Sequence, residues 1–257
     1  MAKSKIEWLN GGKVWNPITG CSKVSEGCRN CYALRMSKRL AGRYGYPADN
    51  PFRVTLHPEK LEEPLKWKKP QKIFICSMSD WMQDEIPDEF IDRMLEVMDT
   101  CPQHVFLTLT KRPENLYQKL WWPSEGAPCR FLCGGDYLPN LWLGVSVENQ
   151  ETVDERIPIL LQVPAAKRFV SVEPMLEEIQ LDNYLYTRFN MGGARDMWNQ
   201  LDWVIVGAET GPKARLMNLD WARLLREQCR MAGVAFFVKQ LHGPIHDDLA
   251  VREYPVP

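Results

Sequence analysis

The sequence predicts an α/β protein built as a partial or near-complete (β/α) barrel of about six to seven parallel strands, on three observations. Short apolar runs rich in β-branched and aromatic residues alternate with stretches of helical period. Each run passes into polar residues at its end. The 257 residues are enough for one such barrel. Runs this apolar suit strands covered on both faces, and their alternation with helices means parallel strands joined by right-handed crossovers.

The first strand lies near 14–20 and carries the polar residues Asn16 and Thr19. The second, Lys72-Ile73-Phe74-Ile75-Cys76, runs into Ser77-Met78-Ser79-Asp80. In 88–100, Ile91, Met94, Leu95 and Met98 fall on one helical face. His104-Val105-Phe106-Leu107-Thr108-Leu109 follows and ends in Thr110-Lys111-Arg112. Leu141-Trp142-Leu143-Gly144-Val145 ends in Ser146-Val147-Glu148-Asn149, and Arg168-Phe169-Val170-Ser171-Val172 ends in Glu173-Pro174. Trp203-Val204-Ile205-Val206 gives way to Gly207-Ala208-Glu209-Thr210. In 219–232, Trp221, Leu224, Leu225 and Cys229 form a second apolar stripe, with Gly233 as its C-cap. Ala235-Phe236-Phe237-Val238 closes the series before Lys239-Gln240. A period of two puts Thr108 with Thr110, Ser146 with Glu148, and Ser171 with Glu173 on one face, which in a barrel is the interior. Polar groups gathered at the C-terminal mouth are where barrel enzymes keep their chemistry.

Residues 121–140 and 183–200, rich in Gly, Pro, aromatic and polar residues, interrupt this rhythm as insertions, either lids over a site or surface decoration. No internal repeat or low-complexity linker divides the chain, so a single domain over 1–257 is expected.

Composition bounds the function. With 45% hydrophobic and 25% charged residues the chain sits at the globular average and can bury a core. The 32 Lys+Arg against 33 Asp+Glu exclude a polybasic nucleic-acid binder, although a local basic groove stays compatible with a nucleic-acid substrate. No run approaches the roughly 18 apolar residues that span a bilayer, and Met1-Ala2-Lys3-Ser4-Lys5-Ile6-Glu7-Trp8 has no signal-peptide core, so a cytoplasmic protein without membrane partners is expected.

Of eight cysteines, Cys21, Cys28 and Cys31 lie within one short loop as Cys-x6-Cys-x2-Cys, after a strand and before a helix. A structural zinc site wants four ligands, and no second Cys pair or His pair of that kind is present. A four-iron four-sulfur (4Fe-4S) cluster on three cysteines leaves one iron open for chemistry. Cys76, Cys101 and Cys229 fall on core faces and read as small hydrophobes, and Cys129-x3-Cys133 reads as two loop thiols. His57, His104, His242 and His246 show no ligand spacing, and the lysines around Trp67 read as a solvated face.

The passage Asn16-Pro17-x-x-Gly20-Cys21 … Cys28-x-x-Cys31-Tyr32-Ala33 resembles the cluster loop of radical S-adenosylmethionine (radical SAM) enzymes, most closely their spore photoproduct lyase-like branch. Nearly the full length is similar to a narrower group, the phage-associated three-Cys-motif family. Ile6-Glu7-Trp8, Trp15-Asn16-Pro17, Ser77-Met78-Ser79-Asp80 and Leu109-Thr110-Lys111-Arg112-Pro113 carry that similarity in the first half of the chain. Gly144-Val145-Ser146-Val147-Glu148, Ser171-Val172-Glu173-Pro174, Gly207-Ala208-Glu209-Thr210-Gly211-Pro212 and Phe237-Val238-Lys239-Gln240 carry it in the second. The six-residue first gap and Asn30 before the last cysteine depart from the commonest radical SAM loop, which has a three-residue gap and an aromatic there.

The resemblance implies a radical SAM-type barrel, a 4Fe-4S cluster on Cys21, Cys28 and Cys31, and SAM on the open iron. It implies one-electron reduction by a flavodoxin- or ferredoxin-like partner and cleavage of SAM to methionine and a 5′-deoxyadenosyl radical. Ser77, Ser79 and Asp80 would then meet the methionine amino group, Ser146 and Glu148 the ribose and SAM backbone, and Gly207 and Glu209 the adenine, with the Tyr32 backbone as a further contact. Glu173 and Lys239 would be catalytic, and Lys111, Arg112 and Gln240 would serve substrate. The phage association implies a hypermodified pyrimidine or thymidine of phage DNA or of a nucleotide, in an infected or lysogenic host, with an isomerase outcome. Two alternatives stay open. One is DNA-lesion reversal of the photoproduct lyase type, with Cys76 as donor. The other is a non-enzymatic, zinc-stabilised module that binds nucleic acid or protein.

Overall fold

A computed structural model describes residues 6–121, 137–186 and 200–256 of the chain. Seven strands form one parallel sheet: β1 (Lys13–Trp15), β4 (Lys72–Ile75), β5 (Val105–Thr110), β6 (Leu141–Val147), β7 (Lys167–Val172), β8 (Trp203–Gly207) and β9 (Ala235–Gln240), in that order across the sheet. The sheet curls into a half-barrel with β1 and β9 at its edges. Between β1 and β4 the chain forms a two-stranded antiparallel ribbon, β2 (Ile18–Thr19) with β3 (Thr55–Leu56). The helices are α1 (Tyr32–Leu40), α2 (Asp88–Asp99), α3 (Glu114–Trp121), α4 (Gln150–Gln162), α5 (Asp182–Leu185) and α6 (Leu219–Ala232). The expected seven strands and both amphipathic helices are present, and α6 ends on Gly233 in the left-handed conformation. Among the described residues no helix is long and apolar enough to cross a membrane.

Both faces of the sheet are covered, which is why its strands read as nearly unbroken apolar runs. Ile73, Phe106, Val145, Val170, Val204 and Val238 face the helices, against Ile91, Met94 and Met98 of α2 and Ile157 of α4. Leu107, Phe169, Trp203, Ile205 and Phe237 face inward and form a separate cluster around Trp8. Trp8, in a short 3-10 turn before β1, fills the inside of the half-barrel, with ring centroids 4.9 Å from Phe74 and 6.0 Å from Trp203. Its aromatic plug leaves the opposite, C-terminal mouth for polar residues.

Two expectations are corrected. The first strand does not run through 14–20: β1 stops at Trp15, and the chain resumes extended pairing only in the separate ribbon. Pro17 has no N–H to continue the ladder, and Asn16 turns its Oδ1 to accept from the Ser77 hydroxyl and the Met78 amide. Thr108 shares the parity of Phe106, which packs on the helix side, whereas Leu107 and Leu109 point inward. Ser146 and Ser171 do lie on the inward parity, with Trp142 and Phe169. The parts of the two expected insertions at 122–136 and 187–199, with Cys129 and Cys133, lie outside the described residues.

Candidate functional site

The cysteine loop leaves β2 through Gly20, whose φ of +85° belongs to the left-handed region and whose Cβ, if present, would lie 2.0 Å from the Arg53 carbonyl oxygen. Only glycine fits this exit. Cys21 follows at once, Cys28 ends a 3-10 turn over Glu26–Cys28, and Cys31 caps α1, its Sγ accepting from the Leu34 amide at 3.5 Å. Behind the loop, Thr19 Oγ1 and His57 Nε2 are 2.8 Å apart in the core, and Gln83 ties the Gly20 carbonyl to the Ser22 amide.

The loop is pressed onto the sheet at Gly27, where a Cβ would lie 2.3 Å from Glu148 Cγ. Glu148, at the end of β6, is fully buried and accepts from Ser25 Oγ at 2.6 Å, from Arg156 Nη1 at 3.2 Å, and from Lys111 Nζ. Burial alone would raise its carboxyl, but Lys111 and Arg156 outweigh burial and hold it below the usual carboxylate range. A second anchor straps the loop to the chain after β8. Arg215 donates to Glu209 Oε1 and Oε2 at 2.7 and 3.0 Å and to Glu26 Oε1 at 2.8 Å, while Asn30 Nδ2 donates to Glu209 Oε2 at 2.9 Å. Burial works against ionisation of Glu209, yet the bonds from Arg215 and Asn30 bring its carboxyl down to about 2.

These contacts set the three cysteines on one wall of a cavity of about 710 Å³ at the C-terminal mouth, within the range of small-molecule sites. Tyr32, Cys76, Ser77, Ser79, Asp80 and Ser146 line it, as do Lys111, Arg112, Glu173, Lys239 and Gln240. Glu148, Gly207 and Glu209 are not on its lining: the two carboxylates are turned into the loop anchors, and a Cβ on Gly207 would sit 3.0 Å from Gln240 Nε2.

Several side chains expected to meet ligand directly are already engaged by the protein. Asp80 accepts from Thr110 Oγ1 (2.8 Å), the Lys111 amide (2.9 Å), the Met82 amide (3.1 Å) and Arg112 Nη1 (3.2 Å). Ser79 Oγ donates to the Gly20 carbonyl at 2.6 Å. Arg112, expected at substrate, is 6% exposed and bonded to Asp80, Ser22 and Cys21. Also on the lining, Lys239 Nζ donates to both oxygens of Glu173, at 2.6 and 2.8 Å, and Gln240 Nε2 donates to Glu173 Oε1 at 2.7 Å.

Residues 3–253 match the family described as Protein of unknown function (DUF5131). The chain belongs to this family. Among solved structures, a spore photoproduct lyase variant with bound AdoMet and dinucleoside spore photoproduct aligns with this DUF5131 protein at a TM-score of 0.48 and 12% identity, over 89% of this chain and 76% of that one. A spore photoproduct lyase complexed with dinucleoside spore photoproduct aligns at 0.44 and 11%, over 88% and 75%. No curated protein sequence matches.

The donor set of the DUF5131 site fits an iron–sulfur cluster. Its candidate ligands are three thiols with a cation beside two of them: Lys111 near Cys28, and Arg112 with Nη1 3.8 Å from Cys21 Sγ. Among the described residues no three His, Cys, Asp or Glu side chains converge as ligands of one ion. A cluster does not need such convergence, because each thiolate binds a different iron. Burial would raise the Cys28 thiol, but Lys111 and the backbone at Val24 and Ser25 bring it below the ordinary thiol value. Cys21 is pushed up to about 11 by burial and by Asp80, against the pull of Arg112. Cys76 is 3% exposed and its thiol is raised by burial; its backbone has φ 55°, a left-handed conformation costly for a residue with a Cβ.

Sequence reasoning missed Ser25, Gln83, Arg156 and Arg215. Arg156 left a signal, since it falls on the buried stripe of α4 with Val153, Ile157 and Leu160, where a charge needs a buried partner. Arg215 lies outside the regular elements, and no periodic pattern marks it.

Proposed function

We propose that this DUF5131 protein is a radical SAM enzyme whose Cys21, Cys28 and Cys31 hold a 4Fe-4S cluster and whose cavity takes SAM and a substrate. The observation that carries the reading is the gathering of three thiols from one short loop on the lining of a cavity at the C-terminal mouth of a parallel half-barrel, with cations beside two of them. The resemblance of the cysteine loop to radical SAM loops supports it independently. When bound, the reduced cluster and SAM supply a 5′-deoxyadenosyl radical that takes hydrogen from a substrate C–H bond.

The chain's own residues orient and shield that chemistry. The loop anchors at Glu148 and Glu209 fix the spacing of the thiols. Tyr32, Ser77, Ser79 and Ser146, all on the cavity lining, hold SAM, and Asp80 serves it indirectly by fixing Arg112. Val14, Phe52, Phe74 and Leu109 add apolar wall that excludes water from a reactive intermediate. Glu173, Lys239 and Gln240 form a hydrogen-bonded polar group on the cavity lining, and they orient substrate. The substrate class proposed is a modified pyrimidine base in DNA or a nucleotide, with an isomerase outcome. Cys76 favours a second reading of the same chemistry: a thiol on the cavity wall, held in a strained backbone, suits the hydrogen donor of a lesion-reversal reaction.

The test is anaerobic iron–sulfur reconstitution followed by dithionite reduction with SAM, scored by 5′-deoxyadenosine and by turnover of modified thymidine. Release of 5′-deoxyadenosine with conversion of the modified thymidine is the expected result. Bound zinc with no SAM cleavage would instead support the binding-module alternative. Loss of lesion reversal in Cys76→Ala, with 5′-deoxyadenosine release retained, would select the second reading.

A further inference from the structure

We infer that Arg112 sets the reduction potential of the cluster by donating a charged N–H to Cys21 Sγ, an assignment that rests on the reading of the three cysteines as cluster ligands. Arg112 follows the end of β5 and is buried, with its guanidinium turned to protein partners. Its Nη1 lies 3.2 Å from Asp80 Oδ2 and 3.8 Å from Cys21 Sγ, and its Nη2 lies 2.7 Å from Ser22 Oγ and 3.1 Å from the Ser22 carbonyl. Four of the five guanidinium N–H groups are therefore spent on Asp80 and the first two residues of the cysteine loop.

The guanidinium is held from both sides. Asp80, which orients it, is itself fixed by Thr110 Oγ1 and by the amides of Met82 and Lys111. A planar fork so constrained keeps its N–H aimed at the sulfur, which a flexible ammonium would not do. One carboxylate balances one guanidinium, so the pair is neutral, and a metal-bound Cys21 thiolate adds a negative charge beside it. Reduction then adds one electron, here from dithionite, to a group that is already negative. A cation in hydrogen-bond contact with one of its sulfurs stabilises the reduced state more than the oxidised state, and hydrogen bonds to sulfur are a recognised lever on such potentials.

The experiment is an EPR-monitored redox titration of anaerobically reconstituted wild type, Arg112→Met and Arg112→Lys, with iron content measured on each. In Arg112→Met the ratio of reduced to oxidised cluster at a given potential is expected to fall about tenfold, a shift of roughly 59 mV for a one-electron couple. Arg112→Lys is expected between the two. Arg112→Met with wild-type iron and an unshifted midpoint overturns the inference. If Arg112→Met does not retain iron, Arg112→Lys decides: an unshifted midpoint overturns the inference, and so does loss of iron with an intact far-UV spectrum, which assigns Arg112 to loop assembly alone. A wild type with no reduced-cluster signal overturns the cluster reading itself, which separates the two failures.

Discussion

Cys28→Ala is expected to abolish 5′-deoxyadenosine release and to leave the protein short of a full complement of iron. Lys111 and the backbone at Val24 and Ser25 assist the ionisation of the Cys28 thiol. The thiolate is the form that binds metal. Removing it leaves two thiols on the loop, and no His, Cys, Asp or Glu stands with them as a converged replacement among the described residues. Cys229→Ala is the control. That thiol is buried in the helix-facing core with its ionisation suppressed, so its removal should cost stability and spare iron. Iron per chain and nucleoside release on both variants check this, and wild-type iron in Cys28→Ala would contradict it.

Glu148→Gln is expected to cost about 3–5 kcal/mol, because it takes the anion from a buried cluster and leaves Arg156 and Lys111 without their shared partner. The side chains of Glu148 and Arg156 are 1% and 3% exposed, so solvent does little to compensate. Arg156→Met added to Glu148→Gln should recover part of the loss, since a double variant that also removes a stranded charge is less than additive. The sign of the pH dependence is fixed by the depressed carboxyl. Its contribution is complete above the ordinary glutamate value of about 4.3 and is lost as pH falls through the lower folded value. The gap between wild type and Glu148→Gln in urea unfolding should therefore be full at neutral pH and narrow in acid. A difference under about 0.5 kcal/mol at neutral pH, the range of ordinary surface substitutions, would contradict this account.

Where burial and periodicity decide structure, the fold is legible in the sequence. The two amphipathic helices and all seven strands are visible because each apolar run had to be covered on both faces. The same two-sided burial hides which parity points inward, so Thr108 is expected in the interior and shares the parity of the helix-facing Phe106 instead. Pro17 carried the signal for the break after Trp15, since a proline cannot pass a ladder hydrogen bond along. At the site, residue types were legible and partners were not. Asp80, Glu148 and Glu209 read as ligand-facing carboxylates, and each is engaged by arginine or lysine, from a neighbouring strand end for Asp80 and in part for Glu148, and from six residues along the chain for Glu209. Arg215 and Glu26 meet across 189 positions of chain, a pairing that only the curl of the sheet creates.

The central claim is that the loop thiols carry a cluster with one iron open to SAM. The EPR spectrum of the reduced, reconstituted protein before and after addition of SAM tests it most directly. The account predicts a reduced-cluster signal that requires Cys21, Cys28 and Cys31 and changes shape when SAM is added. A signal indifferent to SAM, or zinc bound in place of iron, would contradict it.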